Sequence, residues 1–207
     1  MLKELSKPKF VFVGNHRCLD FINTQIMENG CPVDLIGDFS DLIEWLAKGQ
    51  IINSTDAKGA LKDWNGQSEG KRIFGKAIAF RAVLRDMVER IVKGKSVQKS
   101  TVDEINKMLR SRIGYYELIE LRGEFKVRFH AESNKAIHLI APIAESASDL
   151  LCHSDLSLIN KCENPNCVLY FYDISKNHTR RWCRMNVCGN RTKVAAHYRR
   201  HRHTNEK

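Results

Sequence analysis

The chain contains no run of about 18 uncharged apolar residues, so it offers no membrane span. Its opening segment, Met1-Leu-Lys-Glu-Leu-Ser-Lys-Pro-Lys9, lacks the apolar core of a secretory leader. The expected location is therefore the cytoplasm or nucleoid, where thiols stay reduced. Proline is scarce, with four in 207 residues, and no low-complexity linker or internal repeat interrupts the chain. A P-loop, a dinucleotide glycine fingerprint, HExxH and GxSxG are all missing, and an enzyme is not expected. The cysteine count is seven, an odd number that excludes a complete disulfide framework.

What is present is unevenly placed. Cys18, Cys31 and Cys152 are scattered, while Cys162, Cys167, Cys183 and Cys188 crowd into one short stretch. Residues 161–207 hold eleven Lys and Arg against three Asp and Glu, a balance of +8 out of the whole chain's +10. A local positive field of that size suits a polyanion, although a solvated basic surface has the same composition.

The periodicity of residues 1–155 describes a mixed, mainly helical α/β domain. Phe10–Val13 is short, aromatic and β-branched and reads as a strand; Arg17–Thr24 fits a strand or a helix start. Ser40 is the expected cap of a helix over 41–48, and Thr55 of a second ending near Gly66. The clearest helix spans about Glu69 to Val92, with Phe74, Ile78, Phe80, Leu84, Met87, Val88 and Ile91 as its apolar stripe. A further helix opens at Ser100 or Thr101 and runs to Arg112. Tyr115–Leu121 and Glu124–Ala131, flanking Arg122-Gly123, form a hairpin, and Ser133 caps a helix to about Leu151. In the first segment His16, Asp20 and Asn23 lie close enough to line a small ligand pocket, while Leu19 and Phe21 enter the core. Asp20 and Asn23 equally suit turn and cap hydrogen bonds.

Residues 156–207 form the second unit. The spacing C-x4-C-x15-C-x4-C brings four thiolates around one tetrahedral zinc. Asn164-Pro165-Asn166 favours chain reversal in the first pair, and Gly189 relieves crowding after the second. Val168–Tyr172 reads as a strand, Asp173–Asn177 as a turn and Asn190–His203 as a helix. Knuckle, strand pair and helix make a treble-clef arrangement. Four thiolates close the coordination sphere, so the zinc, one per chain, is structural; a tail with few large aliphatics draws its folding energy from that metal. His178 reads as a loop residue rather than a fifth ligand, and Trp182 as a core aromatic of the finger.

At Arg181-Trp-Cys-Arg-Met-Asn-Val-Cys-Gly-Asn-Arg191 the sequence resembles the CGNR zinc-finger family, Cys188-Gly189-Asn190-Arg191 matching the motif residue for residue. Phe171–Cys183 is similar to the stretch that precedes it there. Arg17-Cys-Leu-Asp-Phe-Ile-Asn-Thr24 and Asp38–Leu46 resemble the ABATE domain usually found before such fingers. The resemblance implies a bacterial, stress-linked transcription regulator with an α/β N-terminal domain and a DNA-binding treble clef. Lys176 stands where the family pattern has arginine; its charge survives, but bidentate contact does not.

The residues expected to touch nucleic acid are Lys176, Arg180, Arg181, Arg184, Arg191, Lys193, Arg199, Arg200 and Arg202. On a helical wheel Val194 and Tyr198 share the face toward the zinc core, leaving Lys193, Arg199 and Arg200 outside. Arg181 or Arg184 is a candidate to neutralise the zinc–tetrathiolate, formally −2. DNA is the expected partner. RNA and a protein-adaptor role are the alternatives, and a small-molecule or protein effector is expected for the N-terminal domain. Oligomeric state is not readable from the sequence.

Overall fold

The structure is a computed structural model describing residues 9–132 and 135–194. A long central helix, α4 (Ser68–Val92), collects α1 (Arg17–Ile22), α2 (Phe39–Lys48), α3 (Ser54–Trp64) and α5 (Lys99–Leu109) around it, and α6 (Ala141–His153) packs on α1 and α5. Among the described residues, three two-stranded antiparallel ribbons complete the α+β fold: β1 (Gln25–Glu28) with β2 (Cys31–Asp34), β3 (Gly114–Leu121) with β4 (Glu124–Ala131), and β5 (Ile159–Lys161) with β6 (Tyr170–Tyr172). No helix among the described residues is long and apolar enough to cross a membrane.

The apolar stripe of α4 packs as expected, with Phe80, Leu84, Met87 and Val88 buried beside Ile73 and Ala77. Phe74, Ile78 and Ile91 are only partly buried at its margin. The same stripe contains Arg81, which is 1% exposed. Its guanidinium pairs with Asp34, and its Nη1 also donates to Thr24 Oγ1 at 2.6 Å. A buried charge is tolerable only when paired in this way, and the pair pins the β1–β2 ribbon onto α4. Gly70, early in α4, lies beneath the carbonyl of Trp64; an added Cβ would sit 2.1 Å from that backbone oxygen.

Several local expectations change. Phe10–Val13 is not a strand: the Asp20 carboxylate accepts from the Val13 and Gly14 amides at 2.9 and 2.7 Å, taking the place of a ladder. Arg17–Ile22 is helical, and its second amide, on Cys18, donates to Ser146 Oγ of α6 at 3.0 Å. Asp38, not Ser40, caps α2, and Asn53, not Thr55, caps α3. The helix expected through Arg112 ends at Leu109. The segment before Leu151 is a 3-10 turn (Ala136–Leu139) followed by α6, and Ser133 lies outside the described residues. The β3–β4 hairpin forms with its expected turn, Arg122 and Gly123 both at positive φ.

The C-terminal unit is docked into the helical part. Ile159 and Tyr170 belong to the same core as α4, whereas Val13 belongs to a second core formed with the four clustered cysteines, Leu169 and Phe171. Asn23 is fully buried at this junction. It accepts from the Tyr170 amide at 2.8 Å and donates to the Tyr170 carbonyl at 2.7 Å.

Candidate metal centre and nucleic-acid interface

Cys162 and Cys167 bracket a tight turn that Asn164 holds from inside. Its Oδ1 accepts from the Asn166 amide at 2.9 Å, and its Nδ2 reaches the Cys188 carbonyl at 3.3 Å. This one buried side chain thereby ties the first cysteine turn to the second. The flanking β5 and β6 pair, with β6 confined to Tyr170–Tyr172 rather than starting at Val168. The second turn, Met185–Gly189, is a π-helical turn in which the Cys188 and Gly189 amides both reach the Arg184 carbonyl. Close to Gly189 are the Met185 thioether, 2.5 Å from where a Cβ would stand, and the Trp182 ring at 3.4 Å, so a side chain at this position would meet both. Residues 190–194 continue as helix.

These turns bring the four sulfurs within 4.8 Å of one another, all buried. Cys167 Sγ lies 3.8 Å from Cys183 Sγ, which lies 3.5 Å from Cys188 Sγ. A tetrahedral zinc with Zn–S bonds of about 2.3 Å has sulfur–sulfur edges of about 3.8 Å, whereas a disulfide needs about 2.05 Å. The cluster therefore fits one metal ion and excludes bridges. The Cys183 thiol is pushed up, first by hydrogen bonding to Cys162 and Cys167 and then by burial. Four sulfurs this close cannot all carry charge unless a cation sits among them. His178 is not part of the group; it adopts φ +50° and turns its Nδ1 to the Asp173 carbonyl.

The loop between the turns is organised by Asp173, which the sequence placed only as the first residue of a turn. It is fully buried and accepts from the Ser175 and Arg180 amides, both at 2.8 Å. Burial pushes its carboxyl up, but the hydrogen bonds from Ser175 and Arg180 outweigh it and hold the group below its usual range. The Ser175 bond is the local turn contact that an aspartate favours, whereas the burial and the bond to the Arg180 amide, seven residues on, depend on the folded loop.

The basic residues divide into two sets. Arg180, half-buried, is a strut of the finger, its guanidinium engaged by backbone carbonyls. Its guanidinium donates to the carbonyls of Trp182 (3.1 Å), Cys183 (2.5 Å) and Val13 (3.1 Å) and stacks on Phe171. It is also the cation coupled to the Cys183 and Cys162 sulfurs, the role expected of Arg181 or Arg184. Arg181 instead pairs with Glu163 and lies over the Trp182 ring, which packs against the cysteine cluster as a core aromatic. Lys176, Arg191 and Lys193 are exposed and Arg184 is half-buried; none has a carboxylate partner among the described residues. Val194 is 53% exposed and does not pack on the zinc core, contrary to the helical-wheel expectation. Arg199, Arg200, Arg202 and Tyr198 lie outside the described residues.

His16 and Asp20 do line a cleft, of about 480 Å³, with Asn15, Arg17, Glu145, Ser146 and Asp149. Asn23 does not; it is consumed by Tyr170. His16 Nδ1 meets Ser146 Oγ at 3.0 Å, and Nε2 lies 3.4 Å from Asp149. Burial lowers the imidazole's pKa against the opposing pull of Asp149. Ser146 Oγ already accepts the Cys18 amide, so the trio clasps α1 to α6.

The family model described as "Putative stress-induced transcription regulator", ABATE, matches residues 15–154. The model of the CGNR zinc finger matches residues 159–201. No curated protein matches the chain.

Proposed function

Because the chain belongs to the ABATE family and carries a CGNR zinc finger behind that domain, we propose that it is a DNA-binding regulator of transcription whose zinc-held finger makes the DNA contacts. The observation that carries this reading is the imbalance of available charge on the finger. Its two acidic residues in the described range are committed, Glu163 to Arg181 and Asp173 to backbone amides. Lys176, Arg184, Arg191 and Lys193 have no carboxylate partner among the described residues, and cations of this kind on a rigid scaffold favour phosphate. On this reading the metal is structural and the protein is not an enzyme.

The effector of the N-terminal domain is assigned to the cleft at His16 and Asp20. The cleft's wall is also the finger's seat: Asn15 Nδ2 donates to the Tyr172 carbonyl at 2.9 Å, and the Tyr172 amide donates to Gly14 at 2.8 Å. A molecule bound there would press on the finger directly.

Selection of bound sequences from a random duplex pool, with an excess of single-stranded RNA, tests the DNA reading. Enrichment of a DNA sequence that survives the RNA supports it. Displacement by the RNA makes the protein an RNA binder instead, and retention of neither nucleic acid leaves the finger as a protein adaptor.

A further inference from the structure

The β3–β4 hairpin stands away from the helical body. A cleft of about 1220 Å³ opens between them, with Trp64 and Arg112 on the body side and Ile119, Lys126 and Arg128 on the hairpin side, and with Val127 and Phe129 reaching its edge. Side chains alternate along each strand, and the register pairs Tyr116 with Phe129, Leu118 with Val127 and Glu120 with Phe125. One face of the hairpin is therefore Tyr116, Leu118, Phe125, Val127 and Phe129, with Glu120 its single charge. Tyr116, Leu118, Phe125 and Val127 are 64–69% exposed.

A two-stranded hairpin is marginal in water without a third strand or a second layer. This one also leaves on the order of 500 Å² of apolar surface in one patch, near the upper end for a monomer. Doubling that area through a symmetric contact reaches the roughly 1,000 Å² at which specific interfaces begin. The patch is also self-complementary. A two-fold axis through the Leu118–Val127 pair lays the Glu120–Phe125 row of one copy over the Tyr116–Phe129 row of the other. Glu120, at the rim of the patch, then meets the Tyr116 hydroxyl of the other copy, while Arg112, 4.0 Å over the Phe129 ring, stays paired with Glu145 of its own chain. Two sheets packed face to face in this way form a small sandwich with a dry centre.

We propose that this face of the β3–β4 hairpin is the interface between two copies of the chain. The inference stands independently of what the finger binds. If the finger binds DNA, the two-fold places two fingers on one assembly, matched to two half-sites.

Sedimentation equilibrium of the zinc-loaded full chain over the micromolar range tests it. The wild type should show twice the 23.8 kDa chain mass. Leu118→Lys buries two unpaired ammonium groups per dimer and should weaken association by roughly a hundredfold or more. Lys126→Ser, on the opposite face, should leave the dimer intact and so report on hairpin folding. A monomeric wild type at about 100 µM, or a Leu118→Lys protein of unchanged dimer mass, overturns the proposal. A monomer that instead recruits another protein or an apolar small molecule through this face overturns it equally.

Discussion

Asp20 does work that its neighbours in the sequence do not announce. Two amides hold its carboxylate at the start of the finger's seat, yet burial raises its pKa to about 6, against the hydrogen bonds from Gly14 and Val13 and the charge of Arg180. In an unfolded chain the same group titrates near 4. Its contribution to stability is therefore fully present below about pH 4 and is lost as pH rises through 6. Asp20→Asn keeps the acceptor without the charge. Relative to wild type its stability should gain roughly 1 kcal/mol more at pH 7 than at pH 5. Chemical denaturation at the two pH values reads this directly, and a pH-independent difference would refute it. Arg180 gives a sharper contrast between residues that look alike in sequence. Arg180→Lys keeps a charge but loses the planar fork that spans the Trp182, Cys183 and Val13 carbonyls and stacks on Phe171, so it should lower Tm and speed zinc loss to a chelator. Lys193→Ala should change neither. Arg180 was legible as a basic residue of the finger, but its burial against Phe171 depends on the folded loop, which composition does not show.

At the scale of elements, what was legible followed from local physics. The period of α4, the hairpin around Arg122-Gly123 and the cysteine spacing all describe short-range geometry, and all three formed. The Phe10–Val13 strand failed because the Asp20 side chain supplies its hydrogen bonds. The β5 strand was missed because three residues carry no pattern and its partner lies across the cysteine turn. Arg81 was hidden by the apolar stripe around it. Arg81→Ala should destabilise the protein by about 2–3 kcal/mol, through the lost bonds to buried Thr24 and partly exposed Asp34 and the space left in the α4 stripe. Urea unfolding measures the loss, and a change below about 1 kcal/mol would contradict the pinning role of the pair. Within the second unit, Cys188→Ser should release the metal and unfold the two cysteine turns. Metal analysis of that variant should fall from one zinc per chain toward none, and full loading would remove Cys188 from the ligand set.

Across the whole molecule the sequence divides at residue 155, while the packing does not. Asn23 and Tyr170 meet over 147 residues of separation, and Val13 shares a core with the cysteines. No periodicity encodes contacts at that distance. A chain ending at residue 155 keeps the helices around α4 but loses both Asn23 partners and the burial of Ile159 and Tyr170. We expect it to fold cooperatively at a lower Tm than the full chain. By the same coupling, chelation of the metal should lower the unfolding temperature of the entire protein rather than melt the finger alone.

The central claim is that the finger's unpaired cations hold DNA. Its most direct test is the salt dependence of duplex binding by wild type and by the Lys176/Arg184/Arg191/Lys193→Ala protein, with zinc content measured on both. If all four residues contact phosphates, the slope of log K against log salt should shrink by about 3.6 in the variant, at undiminished zinc. An unchanged slope and affinity in a fully metal-loaded variant would contradict the claim.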